Sequence, residues 1–129
     1  MIQKFIEDIE KVFNSNPVIL SSNIQKHFGP DSKTVYLKST LIFIDSSILE
    51  IAFFAEESHN DLNIPKYRFH YMDKQGRMLF RYDNAPHHHE IPSFPHHKHV
   101  FHGVTPALPP DIKLILKEIS ALMLKGFIS

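Results

Sequence analysis

Residues 67–83 read YRFHYMDKQGRMLFRYD, two runs of alternating aromatic and charged side chains on either side of Asp73-Lys74-Gln75-Gly76. Successive side chains of a strand point to opposite faces. In the first run Tyr67, Phe69 and Tyr71 therefore share one face, and Arg68, His70 and Met72 share the other. In the second, Met78, Phe80 and Tyr82 oppose Arg77, Leu79, Arg81 and Asp83. Gly76 can take the left-handed conformation that closes such loops. A loop of residues 73–76 pairs Met72 with Arg77, His70 with Leu79, Phe69 with Phe80 and Arg68 with Arg81. A one-residue slip would mix the two sets, so hydrophobic segregation favours this register. The stretch predicts a β-hairpin with one aromatic face for the core. The other face gathers Arg68, His70, Arg81 and Asp83, either as plain solvated surface or as the floor of a site. Two arginines side by side repel unless an anion, Asp83 or a substrate phosphate, lies between them.

The flanking chain extends this pattern into a domain. Ile2, Phe5, Ile6, Ile9, Val12 and Phe13 recur at helical spacing, which predicts an amphipathic helix over residues 2–14 that stops at Asn14-Ser15-Asn16-Pro17. Residues 18–25 read as a short strand, and Phe28-Gly29-Pro30-Asp31 as a turn. Residues 35–45 and 48–56, rich in Ile, Phe, Leu and Thr, form a hairpin across Asp45-Ser46-Ser47. Residues 57–65 read as a polar loop, and residues 84–110 as a long, proline-rich irregular segment. Pro109-Pro110-Asp111 opens a last helix, with Ile112, Ile115, Leu116, Ile119, Leu122 and Met123 as its apolar stripe and Gly126 near its end. The expected fold is α+β and a single domain over residues 1–129: an antiparallel meander of four to five strands, both terminal helices packed on one face, and a long His/Pro-rich loop.

Composition narrows the function. Fourteen basic residues balance fourteen acidic ones, which bulk charge alone would not suggest for a nucleic-acid binder. Ten histidines can tip the balance positive just below neutrality. With no cysteine there is neither a disulfide framework nor a thiolate metal site, which fits a cytoplasmic location. Glu7, Asp8 and Glu10 interrupt the start of the chain, unlike a signal peptide, and no apolar run reaches membrane-spanning length.

His87, His88, His89, His96, His97, His99 and His102 fall within sixteen residues. Neutral imidazoles bind zinc and related metals, titrating ones act as general acid or base, and imidazolium contacts phosphate. His97-Lys98-His99 and the triplet 87–89, with Asp83 or Glu90 as oxygen donors, favour a metal; the absence of an HExxH or a Cys/His finger spacing speaks against one. RNA cleavage needs a base for the 2′-OH, an acid for the leaving 5′-oxygen and cations for the phosphorane, which histidines with Arg68, Arg81 and Lys98 can supply without metal. Several of the histidines are equally suited to holding the proline-rich loop on the sheet. The absence of a Gly-rich phosphate loop, with only four glycines in the chain, disfavours a nucleotide-binding or phosphate-transferring protein.

The segments YRFHY (67–71), FRYDNAPHH (80–88) and SFPHHKH (93–99) resemble the TumE family of bacterial and archaeal toxin components, whose pattern is roughly Y-R-[YF]-H-Y, then R-Y-D-N-A-P-H-H, then F-P-H-H-K-H. Every part of that pattern is matched. Tyr36-Leu37 and Leu49-Glu50 resemble the family's upstream strands more loosely, and His89 and His102 lie outside the shared pattern. The resemblance implies a toxin that arrests growth, encoded beside a TumA-like antitoxin protein that neutralises it. A ribonuclease activity follows by analogy with toxins of this general kind.

Together these readings lead to an expected metal-independent endoribonuclease with no cofactor. His70, His88, His96, His97 and His99 are the candidate acid and base residues, with Arg81 and Asp83 beside them, and Arg68 and Lys98 are the candidate phosphate ligands. The expected partners are the antitoxin and RNA, without a membrane, and a homodimer is compatible with this reading. The alternative is a non-catalytic protein whose histidine loop holds a metal or a partner.

Overall fold

A computed structural model describes residues 1–128, with side chains through Gly126. Helix α1 spans Ile2–Ser15 and buries Ile2, Ile6, Ile9 and Phe13, one residue per turn along a single stripe. It ends at Asn16, which is extended ahead of Pro17 and accepts the Val18 N–H on its side-chain oxygen. Seven strands follow: β1 (Ile19–Phe28), β2 (Thr34–Phe43), β3 (Ile48–Ser58), β4 (Asp61–Met72), β5 (Met78–Asp83), β6 (His97–Val100) and β7 (Gly103–Pro106). They lie in sequence order in one sheet, each antiparallel to the next. Helix α2 (Ile112–Ile128) closes the chain.

The meander is as expected, but it has seven strands rather than four to five. Two differences account for the count and for the lengths. Residues 57–65 are not a loop: β3 runs on to Ser58, and His59 and Asn60, with φ of 51° and 66°, make a two-residue turn directly into β4. Two consecutive left-handed residues match the right-handed twist of the strands they join, and asparagine tolerates that conformation. Likewise, the irregular segment contains β6 and β7, so that only residues 84–96 and 107–111 remain outside regular structure around them. These short strands are held by backbone pairing, and their polar sequence has no hydrophobic alternation to reveal them.

The hairpin of β4 and β5 keeps its two faces but not the expected register. Arg68 pairs with Asp83, Phe69 with Tyr82, His70 with Arg81 and Tyr71 with Phe80. Asp73 and Arg77 close the turn, with Gly76 at φ 81°, and a bulge beyond Tyr71 completes the offset. A two-residue slip leaves every side chain on its own face, so the alternation could not discriminate against it.

One face of the sheet carries the core. Val35, Leu37, Leu41 and Phe43 from β2, Leu49, Ile51, Phe53 and Ala55 from β3, Tyr67, Phe69 and Tyr71 from β4, and Phe80 and Tyr82 from β5 are buried there. The stripe of α1 and Ile115, Leu116, Ile119 and Met123 of α2 join the same cluster, so both helices cover this one face. Leu122 stays at the margin, partly exposed. Each large apolar side chain removed from water in this way contributes about 1.5–3 kcal/mol before entropy is counted. The opposite face is left for the polar residues of the same strands.

Candidate functional site

Register rather than chain proximity assembles the polar face. Row by row across β4, β5 and β6, Arg68 lies beside Asp83 and Asp83 beside His97, while His70 lies beside Arg81 and Arg81 beside His99. The i, i+2 spacing of His97 and His99 sends both rings to this face and Lys98 to the other.

Asp83 is the hub. Its residue is 6% exposed, and all its neighbours are donors or cations. Oδ1 accepts the Ala85 N–H at 3.0 Å and lies 2.8 Å from His97 Nε2. Oδ2 lies 3.1 Å from Arg81 Nε and 3.5 Å from His99 Nε2. The Arg81 contact is an ion pair without hydrogen-bond alignment, so that its buried Nε–H has no hydrogen-bond partner. His97 is almost wholly buried and donates Nδ1–H to Pro95 O at 2.9 Å. An acceptor therefore faces each of its ring nitrogens. Arg81 Nη2 donates to His99 Nε2 at 3.2 Å. Burial, then the Arg81 charge, holds His99 below the ordinary imidazole range in spite of Asp83.

His88 reaches this group from the loop between β5 and β6. Its Nδ1 lies 3.2 Å from Glu90 Oε1, and its ring centroid is 5.1 Å from that of His97 and 5.6 Å from that of His99. One ring nitrogen from each of His88, His97 and His99 falls within 4.8 Å of the others. Above them opens a cleft of about 400 Å³ lined by Lys66, Arg68, Arg81, Asp83, His87, His88, His97 and His99, among others. Lys66 and Arg68 on its rim have neither an ion-pair nor a hydrogen-bond partner for their side chains among the described residues. Asn84 anchors the adjoining chain, accepting the Tyr67 N–H and donating to Pro65 O.

Of the nine residues singled out from the sequence, the structure brings six into this cleft: Arg68, Arg81, Asp83, His88, His97 and His99. His70 shares the face but lies outside the cleft lining, between Glu50 and Arg81 in register. Its Nδ1 is buried without a partner, and burial, then Arg81, lowers its basicity. His96 and Lys98 sit on the helix side. His96 stacks on Tyr67, with Nδ1 3.0 Å from the Tyr67 hydroxyl, whose pKa burial and the Asp83 charge push up to about 12. Lys98 pairs with Glu118 of α2 at 2.6 Å and lies over the Phe80 and Tyr82 rings. Burial opposes its charge, but the bonds to Glu118 and Tyr82 outweigh burial and keep the ammonium above its ordinary range.

Lys66 and His87 are cleft residues that the sequence reading did not single out. Lys66 was within reach, because it continues the Arg68–His70 alternation one step back. His87 was legible only as part of the triplet 87–89 and of the FRYDNAPHH motif, without a role of its own. A second cavity, about 350 Å³, lies on the helix side between α1, the start of α2 and the sheet. Its lining is apolar apart from Tyr67, His96 and Asp111, and it includes no lysine or arginine.

A family model described as Toxin TumE matches residues 9–123. The chain matches no curated protein and no solved structure.

Proposed function

The chain belongs to the TumE toxin family, and from that premise we propose that it is the toxin of a toxin–antitoxin pair and acts as an endoribonuclease that needs no metal. The observation that carries this reading is the Asp83 hub. One buried carboxylate holds Arg81, His97 and His99 at the floor of a cleft, while Lys66 and Arg68 stand unpaired at its rim. A phosphodiester supplies the negative charge that these cations lack.

In this reading the phosphate enters between Arg68, Lys66 and Arg81. One imidazole of the pair His88 and His99 takes the proton of the ribose 2′-OH, whose oxygen attacks the adjacent phosphorus. The guanidinium groups stabilise the charge that develops on the phosphorane. The other imidazole, in its protonated form, gives its proton to the departing 5′-oxygen. The products are a 2′,3′-cyclic phosphate and a free 5′-hydroxyl. His97, too buried to meet substrate, positions Asp83, and Asp83 in turn positions Arg81 and His99. Glu90 orients His88 through Nδ1, as carboxylates do for catalytic imidazoles.

No helix among the described residues is long and apolar enough to cross a membrane. The antitoxin partner and a cytoplasmic site of action belong to the same proposal. RNA incubated with the purified chain, with and without EDTA, tests the activity. Cleavage in both tubes that disappears in His99→Ala supports the reading. Intact RNA in both overturns it.

A further inference from the structure

We infer that His88, His97 and His99 bind one divalent ion of the zinc class, and that the ion closes the cleft to substrate. The binding claim stands on the geometry alone; only the closing step rests on the nuclease reading above.

Three imidazole nitrogens already lie within 4.8 Å of one another. Zinc–imidazole bonds of about 2.0–2.1 Å in a tetrahedron place such nitrogens ~3.4 Å apart, so each ring need move by only about an ångström. The rings meet at interplanar angles of 66°, 75° and 76°, so none is stacked flat on another. Flat stacking would hold the ring nitrogens side by side at the rims of parallel planes; the tilted arrangement instead leaves one nitrogen of each ring grouped with the other two. The donors come from two kinds of structure. His97 and His99 are fixed on β6, whereas His88 sits on the loop before it and can adjust.

The surroundings also suit an ion. His97 donates Nδ1–H to a backbone carbonyl, Pro95 O, which fixes the ring orientation; its Nε2, 2.8 Å from Asp83 Oδ1, is the atom that exchanges this contact for the ion. His88 directs Nδ1 to Glu90 and leaves Nε2. The Asp83 carboxylate, next to both strand histidines, supplies the negative charge to balance a dication and can take or support the fourth position. Arg81, one-third exposed, has to turn from His99 toward solvent. Imidazole and carboxylate donors, with no thiolate available in a chain without cysteine, select zinc, nickel or cobalt over magnesium or calcium. An ion so held occupies the imidazole lone pairs that the proposed cleavage uses, so it inhibits rather than assists.

The test uses the full chain stripped of metal with a chelator. Zn²⁺ is titrated by calorimetry and Co²⁺ by its visible absorption. One equivalent with a tetrahedral Co²⁺ spectrum is expected, weakened at least tenfold by His88→Ala and by His99→Ala. His27→Ala, an exposed histidine on β1, is expected to change nothing. His88 lies on a loop, so its loss leaves the core intact and keeps the test informative should His99→Ala fold poorly. Absence of saturable binding at micromolar Zn²⁺ overturns the inference, as does binding that survives His88→Ala unchanged. Zn²⁺ binding by a chain that leaves RNA intact even when stripped of metal would sink the nuclease reading and leave the site standing. Cleavage by the stripped chain without metal binding would do the reverse, and cleavage that one equivalent of Zn²⁺ does not suppress would overturn the closing step.

Discussion

His97 Nε2 lies 2.8 Å from Asp83 Oδ1, with both side chains nearly removed from solvent, at 2% and 8% exposure. The pair joins β6 to β5 through side chains as well as through the backbone ladder. Taking either partner away strands the other in a site built for a charge. Asp83→Ala is therefore expected to cost about 3–5 kcal/mol, read as a lower urea midpoint at unchanged slope. Asp83→Asn keeps the Ala85 N–H bond and should cost less. Equal stability of wild type and Asp83→Ala would show that the pair does not hold β6 to β5.

Lys66 and Arg68 should matter for ligand and not for fold. Each single alanine substitution is expected to leave the thermal midpoint within a degree or two, because neither side chain has an ionic partner to lose. RNA affinity should fall several-fold in each, and the slope of log affinity against log salt should shrink by about one unit per cation removed. Fluorescence anisotropy with a 2′-O-methyl strand, which cannot be cleaved through its 2′-oxygen, separates binding from chemistry.

Lys98 should show the opposite pattern. Its ammonium is committed to Glu118 and to the Phe80 and Tyr82 rings, on the side of the sheet away from the cleft. Lys98→Ala is expected to destabilise the docking of α2, by about 1 kcal/mol for a partly screened pair, and to leave RNA affinity unchanged. A loss of RNA binding at unchanged stability would return Lys98 to the phosphate site expected from the sequence.

His70 predicts an acid-side loss of stability. Burial, then Arg81, depresses its folded-state pKa below that of the unfolded chain. The unfolded state therefore binds the proton more readily, and stability rises with pH where the two states differ. The contribution is complete above about pH 6.5, the ordinary imidazole value, and is lost as pH falls through the folded-state value. Urea midpoints measured from pH 7 down to pH 5 should fall in wild type, and less steeply in His70→Gln. Parallel curves would refute the assignment.

Period-two alternation from Tyr67 to Asp83 was enough to separate an aromatic core face from a face with Arg68, His70, Arg81 and Asp83, and all of these lie where the alternation puts them. The helical spacing of Ile2, Ile6, Ile9 and Phe13 identified α1 in the same way. These patterns are legible because burial acts on each side chain separately, and the chain geometry repeats at a constant interval. Tertiary structure decided the rest. Alternation is blind to a two-residue slip, so only the Asp73–Arg77 turn and the bulge at Tyr71 put Asp83 rather than Arg81 beside Arg68. The strands β6 and β7 pair through backbone hydrogen bonds, which depend little on side-chain identity, and their polar side chains left no trace in the hydrophobic pattern. Once β6 is in place, the same alternation sends His97 and His99 to Asp83 and Lys98 to Glu118. The meeting of His88 with them depends on the path of residues 84–96, a contact between segments that neither segment encodes alone.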